Sequence, residues 1–309
     1  MKNAKRHNCL GYIIFTVLPL FSYLPALAQQ TAADFFKITI NALKFKDYDN
    51  TILFATKAIE LNPRLGGAYW NRAIAYDNKM EYHKSIRDYD SAMKYYANST
   101  DLATLHKNRG MVYSDMKMYD SAIGDFDKSL EMNPGYGAAF WNSGIAYSSI
   151  GSYDSAINDY TRAMKYFTSL PDLCQLHLLR GLAWLKLNKD DKANKEFREI
   201  LKLDTSHDYH TAYAKYMLHK KDSAINDIRI FVSRVVNKEE EYAGACFNEA
   251  RLYAVMDNHA QALSSLEMSF NLGYKNFRNV ETERDFDNVR KDEKFIKLVK
   301  KYEAKDTHP

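Results

Sequence analysis

Glycine and proline are scarce in this 309-residue chain, at 12 and 6 residues. A loop-rich β architecture needs many turn-forming residues, so their shortage argues for long, regular helices. Cysteine is nearly absent, with three in all. Cys174 and Cys246 lie far apart in the chain and in no CxxC or CxxH spacing, which excludes a disulfide framework or a zinc ribbon and leaves two buried thiols as the expectation. Catalytic signatures are missing too. There is no GxSxG elbow, no phosphate-binding GxxxxGK[ST] loop, no HExxH and no glycine-rich dinucleotide turn, so no enzymatic activity and no cofactor is expected.

A long apolar run is also lacking, apart from Leu10–Leu24. That stretch is short for a membrane span of about 20 residues and contains Pro19. It follows Lys2, Lys5, Arg6 and His7 and precedes Ala26-Leu27-Ala28, the layout of a secretory signal peptide over residues 1–28. Export to the periplasm or beyond the cell is the expectation, with no span left after cleavage. Removing Lys2, Lys5 and Arg6, and no acid, lowers the formal charge from +4 to +1. A near-neutral chain does not point to nucleic acid as a partner.

What is abundant is tyrosine, with 23 residues, and a recurring phrase. "YDSAI" stands at Tyr119–Ile123 and at Tyr153–Ile157, with near-copies at Tyr48, Tyr82 and Lys221. Its small residue recurs as Thr51, Ser85, Ala122, Ala156, Ala193, Ala224 and Ala262. Twelve residues upstream stand Thr39, Ala73, Gly110, Gly144, Gly181, Ala212 and Ala250, all small. Four downstream stand mostly large apolar residues: Ala55, Tyr89, Phe126, Tyr160, Phe197, Ile228 and Leu266. Nine upstream the column is aromatic in most copies, with Ala42 and Lys215 as the departures. Columns at a period near 34 describe stacked supersecondary units. Small residues let two helices approach, and the large residue fills the space beside the crossing. In this reading Asp or Ser of the phrase caps the second helix. A second period of 71 residues relates "WNRAIAY" at Trp70 to "WNSGIAY" at Trp141, and the extra residues are expected to lengthen loops at Asn98–Thr100 and Ser169–Pro171.

These columns resemble the tetratricopeptide repeat, W-x2-L-G-x2-Y then A-x3-F then P, most fully over Ala138–Tyr166. The resemblance covers residues 32–272. It implies an all-α, right-handed solenoid of about seven helix–turn–helix repeats, followed by a closing segment over 273–309. There Phe286, Val289, Phe295, Ile296 and Val299 are expected to cover the last repeat.

The resemblance further implies that the first helix of each pair lines a concave groove for a protein or peptide partner. Carried onto this chain, the lining is Phe36, Trp70, Asn71, Ile74, Lys107, Asn108, Met111, Trp141, Asn142, Ile145, Leu178 and Leu182, with Ile40, Phe247 and Arg251 at equivalent places. Packing of Trp70 and Trp141 against neighbouring helices is the competing reading. The family's carboxylate clamp is not expected, because repeat five has Gln175 and Leu179 where basic residues belong. His106 and His177 read as packing residues. Asp204–His210 reads as a solvated junction rather than a metal site. The work implied is that of a non-catalytic scaffold, and the alternative is a self-associating assembly protein; the sequence leaves the oligomeric state open.

Overall fold

The computed structural model describes residues 30–206 and 208–307; the expected signal, 1–28, lies outside them. Among the described residues there are sixteen α-helices and no strand. Fourteen form seven antiparallel pairs: α1 (Ala32–Lys44) with α2 (Tyr48–Leu61), α3 (Gly66–Asn78) with α4 (Tyr82–Met93), and α5 (Ser99–Asp115) with α6 (Tyr119–Met132). Then come α7 (Gly137–Ser149) with α8 (Tyr153–Ala163), α9 (Leu170–Lys186) with α10 (Asp190–Leu203), α11 (Tyr209–Met217) with α12 (Lys221–Val235), and α13 (Glu239–Val255) with α14 (His259–Asn271). Beyond the pairs lie α15 (Phe277–Thr282), a 3-10 turn (Arg284–Phe286) and α16 (Glu293–Thr307). Each second helix packs on the next first helix, and where helices two apart in the array pack together they are first helices, such as α1 on α3 and α11 on α13. That stacking puts the first helices on the inner, concave side.

The small column sits at the helix crossings. Thr51, Ser85, Ala122, Ala156, Ala193 and Ala224 are all fully buried. Ser85 Oγ donates to the Ala73 carbonyl at 2.8 Å, tying the two small columns together inside one pair. A methyl added at Gly144 would stand 2.6 Å from the Tyr160 ring, so α7 and α8 approach as closely as they do only because that side chain is absent. Tyr160, Phe126 and Phe197 are among the largest fully buried side chains.

Each turn between paired helices places one residue at positive φ: Lys46, Met80, Lys117, Gly151, Asn188, His219 and Asp257. The repeat therefore fixes a left-handed residue in every pair, although only Gly151 has the residue that adopts it without strain.

Two expectations are corrected. The phrase "YDSAI" does not cap its helix with Asp or Ser. α6 and α8 begin at Tyr119 and Tyr153, and the preceding Met118 and Ser152 make no side-chain cap. Asp47 before α2 is an exception, accepting from Asn50 N. The extra residues of the 71-residue unit go mainly into helix, with the loops only slightly longer. Ser99–Thr100 and Leu170–Pro171 belong to α5 and α9, which run to 17 residues against 13 in α3 and α7. Asn98 and Ser169 cap these longer helices by accepting from Asp101 N and Asp172 N.

The last pair is covered by Val280, Phe286, Val289, Phe295, Val299 and Tyr302, which pack with Phe247, Leu266 and Phe270. Ile296 is not part of this cover: it is 41% exposed, and Tyr302 fills the space instead.

Gly144→Ala is expected to destabilise the fold by about 1–3 kcal/mol, since Tyr160 is locked in the core and has nowhere to move. Urea denaturation followed by circular dichroism measures it; an unchanged midpoint would show that the crossing is looser than described.

Candidate functional site

The groove residues named from the sequence divide into two groups. Ile74, Asn108, Met111, Asn142 and Ile145 line one concave cavity of about 800 Å³ on the inner face of α3, α5 and α7. Met111 is 37% exposed there, while Ile145 is half-buried. Asn142 donates one amide hydrogen to the Ala138 carbonyl at 2.7 Å, and Asn78, one turn further along the groove, donates likewise to Ile74 at 2.8 Å. Both amides are thereby held in place, with their oxygens left as acceptors.

The other group does not line this cavity. Trp70 meets Tyr96 edge-on with ring centroids 5.6 Å apart, and Trp141 meets Phe167 in the same way at 5.1 Å. These tryptophans pack between consecutive pairs, and Asn71, beside Trp70, is half-buried outside the cavity. Phe36 lies under Gly67, its ring in the place a side chain there would take. Leu178 is a correction: it is buried in a core with Phe197, Tyr213 and Ile228, and Leu182 packs against the same cluster. The shift arises because α9 and α11 pack together and close the inner face at that point. Lys107 donates to Met111 Sδ at 3.6 Å, and burial pulls its ammonium below the ordinary lysine range.

A polar column runs behind the groove that the sequence reading missed. Sixteen residues separate Arg72 from Asp88, Arg109 from Asp125 and Arg180 from Glu196, and each couple bridges the two helices of one pair at 2.6–2.9 Å. The signal was present as a third column, three residues beyond the small residue of the phrase: Asp88, Asp125, Asp159, Glu196 and Asp227. His106 and His177 belong to it, with Nδ1 3.0 Å from Asp125 and 2.7 Å from Glu196. They are not simple packing residues. Burial alone would raise Asp125 and Glu196, but the arginine and histidine beside each hold them below the usual carboxylate range. Arg109 is therefore spent on Asp125 and Asp90 and does not face a ligand. In the sixth pair the lysine that interrupts the aromatic column supplies the missing cation: Lys215 Nζ lies 2.5 Å from Asp227. In the fourth pair the arginine position is Ser143, and burial pushes Asp159 above its ordinary value.

The opposite wall of the cavity comes from the C-terminal segment. Asn276, Asn279, Glu281, Thr282, Arg284, Asp287 and Arg290 face the inner helices. Arg284 Nη2 donates to the Ile145 carbonyl at 3.3 Å and to Ser149 Oγ. The residues flanking it are fastened elsewhere: Arg251 holds Asp285 at 2.9 Å and Glu283 at 3.1 Å, and the Tyr209 hydroxyl donates to Asp285. Arg251 also stacks on the Tyr209 ring at 4.2 Å. A second cleft lies between Asn78-Lys79-Met80 and Phe277, Lys300, Glu303 and Ala304, where the closing segment comes back to the second pair.

Near Asp204, Asp208 caps α11 by accepting from Thr211 N, and His210 Nε2 pairs with Gln175 at 3.0 Å. Cys174 and Cys246 are both free and buried, and burial raises both thiols, to about 12 and about 11.

The tetratricopeptide-repeat family model matches residues 103–136, which span most of α5, all of α6 and the turn after it. The stack of seven such pairs has the same fold as solved proteins of that family. Residues 103–136 are a tetratricopeptide repeat, and the chain has the solenoid fold of that family. A tetratricopeptide repeat protein from Parabacteroides merdae ATCC 43184 superposes on 89% of this chain and 99% of its own length, with a TM-score of 0.59 and 16% identity. MamA from Desulfovibrio magneticus RS-1 matches 56% of this chain and 94% of its own at a TM-score of 0.51 and 16% identity. YrrB, described as a tetratricopeptide-repeat protein with an unusual peptide-binding site, matches 63% and 94% at 0.50 and 16%. At such identities these likenesses are of fold. Among curated proteins, photosystem I assembly protein Ycf3 of Synechococcus sp. strain CC9605 is 30% identical over 80 residues, which is 25% of this chain and 46% of that protein. The chain thus spans just under half the length of that curated relative.

Asp125→Asn is expected to cost about 3 kcal/mol at neutral pH, because it leaves Arg109 and His106 without their shared carboxylate. Asp159→Asn is expected to be neutral or mildly stabilising. The signs differ with pH as well. Asp125, lowered in the fold, contributes stability above the unfolded carboxylate value and loses it as pH falls; Asp159, raised, costs stability as pH climbs through its folded value. Urea midpoints at pH 4 and pH 7 check this. An equal loss from both variants would refute the distinction.

Proposed function

We propose that this protein is a non-catalytic interaction scaffold, exported by its N-terminal segment, that holds a segment of another protein in the cavity between α3, α5, α7 and the C-terminal segment. The observation that carries the reading is the composition of that cavity. Its inner wall combines the apolar Ile74, Met111 and Ile145 with the amides of Asn108 and Asn142. Apolar surface supplies affinity for side chains, and amide groups satisfy a peptide main chain that has no strand to pair with. Arg72, Arg109 and Arg180 behind the groove are joined in ion pairs that hold the helices together. YrrB supports the reading by analogy of fold, since its own site is one for peptides.

A specific observation favours a second reading, self-association. At the N-terminal end of the described array, the first pair exposes Ile40, Phe45, Leu53 and Leu61, with Phe45 79% exposed. A stable oligomer in sedimentation that Phe45→Ser disperses would favour assembly through this end.

The test of the scaffold reading is recovery of partners from the native cells, identified by mass spectrometry, with wild type and variants compared. Met111→Asp with Asn108→Ala is expected to lose the partner at unchanged melting temperature, because neither side chain is core. Trp70→Ala is expected to lower stability by about 3 kcal/mol through loss of the Tyr96 contact. Retention of every partner by the Met111/Asn108 variant would refute the placement.

A further inference from the structure

The concave face has a second wall. Arg284 reaches it from the far end of the chain, 139 residues from Ile145 in sequence, and donates to a main-chain carbonyl and to Ser149 on α7. Its neighbours Glu283 and Asp285 are anchored on the half-buried Arg251, so Arg284 is presented from a fixed base. Asn279, beside it, is likewise fixed: its amide donates to the Tyr274 hydroxyl at 3.0 Å and its main-chain N–H donates to Asn276 Oδ1 at 3.0 Å.

The cavity between the two walls measures about 800 Å³ and opens to solvent, so its volume sets no limit on the length of what it holds. A helix pairs its own main-chain groups, whereas an extended segment leaves its N–H groups unpaired, and these need acceptors. Anchored amides supply them from both sides: Asn78 and Asn142 on the inner helices and Asn279 on the closing segment each use a hydrogen internally and keep an oxygen.

We propose that the C-terminal segment is the second wall of the binding site. Braced on α7 by Arg284, it gives the groove two walls whose anchored amides take one extended peptide segment from a partner protein between them. The inference rests on the peptide-binding reading above and adds to it which part of the chain completes the site. Pre-ordering of the wall by Arg284 lowers the ordering cost of binding.

Short linear peptides selected by the full chain from a random displayed library are the probe. Hydrogen exchange of the complex is expected to slow amides in both α7 and residues 277–290, and Arg284→Ala, an exposed position, is expected to keep the fold and weaken the peptide about tenfold, the size of one lost charge-assisted hydrogen bond. Protection of α7 alone, or full affinity in Arg284→Ala, overturns the second wall while leaving peptide binding intact. Failure of wild type and Arg284→Ala alike to select any linear peptide overturns the peptide-binding reading, and this inference with it.

Discussion

A glycine or alanine set against a ring, where the two helices of a pair cross, is the contact on which the rest of this molecule depends. Gly144 against Tyr160 and Gly110 against Phe126 bring the backbones close enough for Ser85-type hydroxyl bonds and for the Arg–carboxylate bridges behind them. With larger residues at those points the bridges would not span the pair. The close approach also sets the tilt of each pair on the next, and that tilt, summed over seven pairs, brings the C-terminal segment back to the second and fourth pairs.

The ion pairs show how the repeat tolerates change. Where Lys215 replaces an aromatic, it takes over the charge of the absent arginine; in the last pair the order is reversed, with Glu249 accepting from Ser265 at 2.9 Å. The buried carboxylate is retained from pair to pair through Asp227, and its partner is redesigned locally. Asp159 is the place where burial rather than a cation decides the charge. A buried ion pair is a weak source of stability but a costly one to break, which suits a role in fixing the register of helices.

Much of the fold was legible in residue columns: the seven pairs, the small crossings and the aromatic filling all follow from spacing. The candidate site was legible only in part. Ile74, Met111 and Ile145 do face the cavity, because their position in the repeat fixes their face of the first helix. Trp70 and Trp141 do not, because a large ring is drawn to the nearest apolar partner, Tyr96 or Phe167, in the connection after the second helix. Leu178 was misplaced because the inward curve at α9 and α11 turns a groove position into a core position, and no single repeat records that curvature. The opposite wall had no signal at all. "NVETERDFDNVR" matches no repeat column, and its contact with α7 exists only once seven pairs have wound around.

Closure of the concave face is the central claim, and a distance measurement tests it most directly. Spin labels at Lys79→Cys and Lys300→Cys would sit on the two sides of the cleft between the second pair and α16, in a Cys9→Ser background where Cys174 and Cys246 are too buried to react. A single narrow distribution at short distance, widened by Arg284→Ala, is the result the account predicts. A broad, long distribution in the unaltered protein would contradict it, and would return the groove to an open surface.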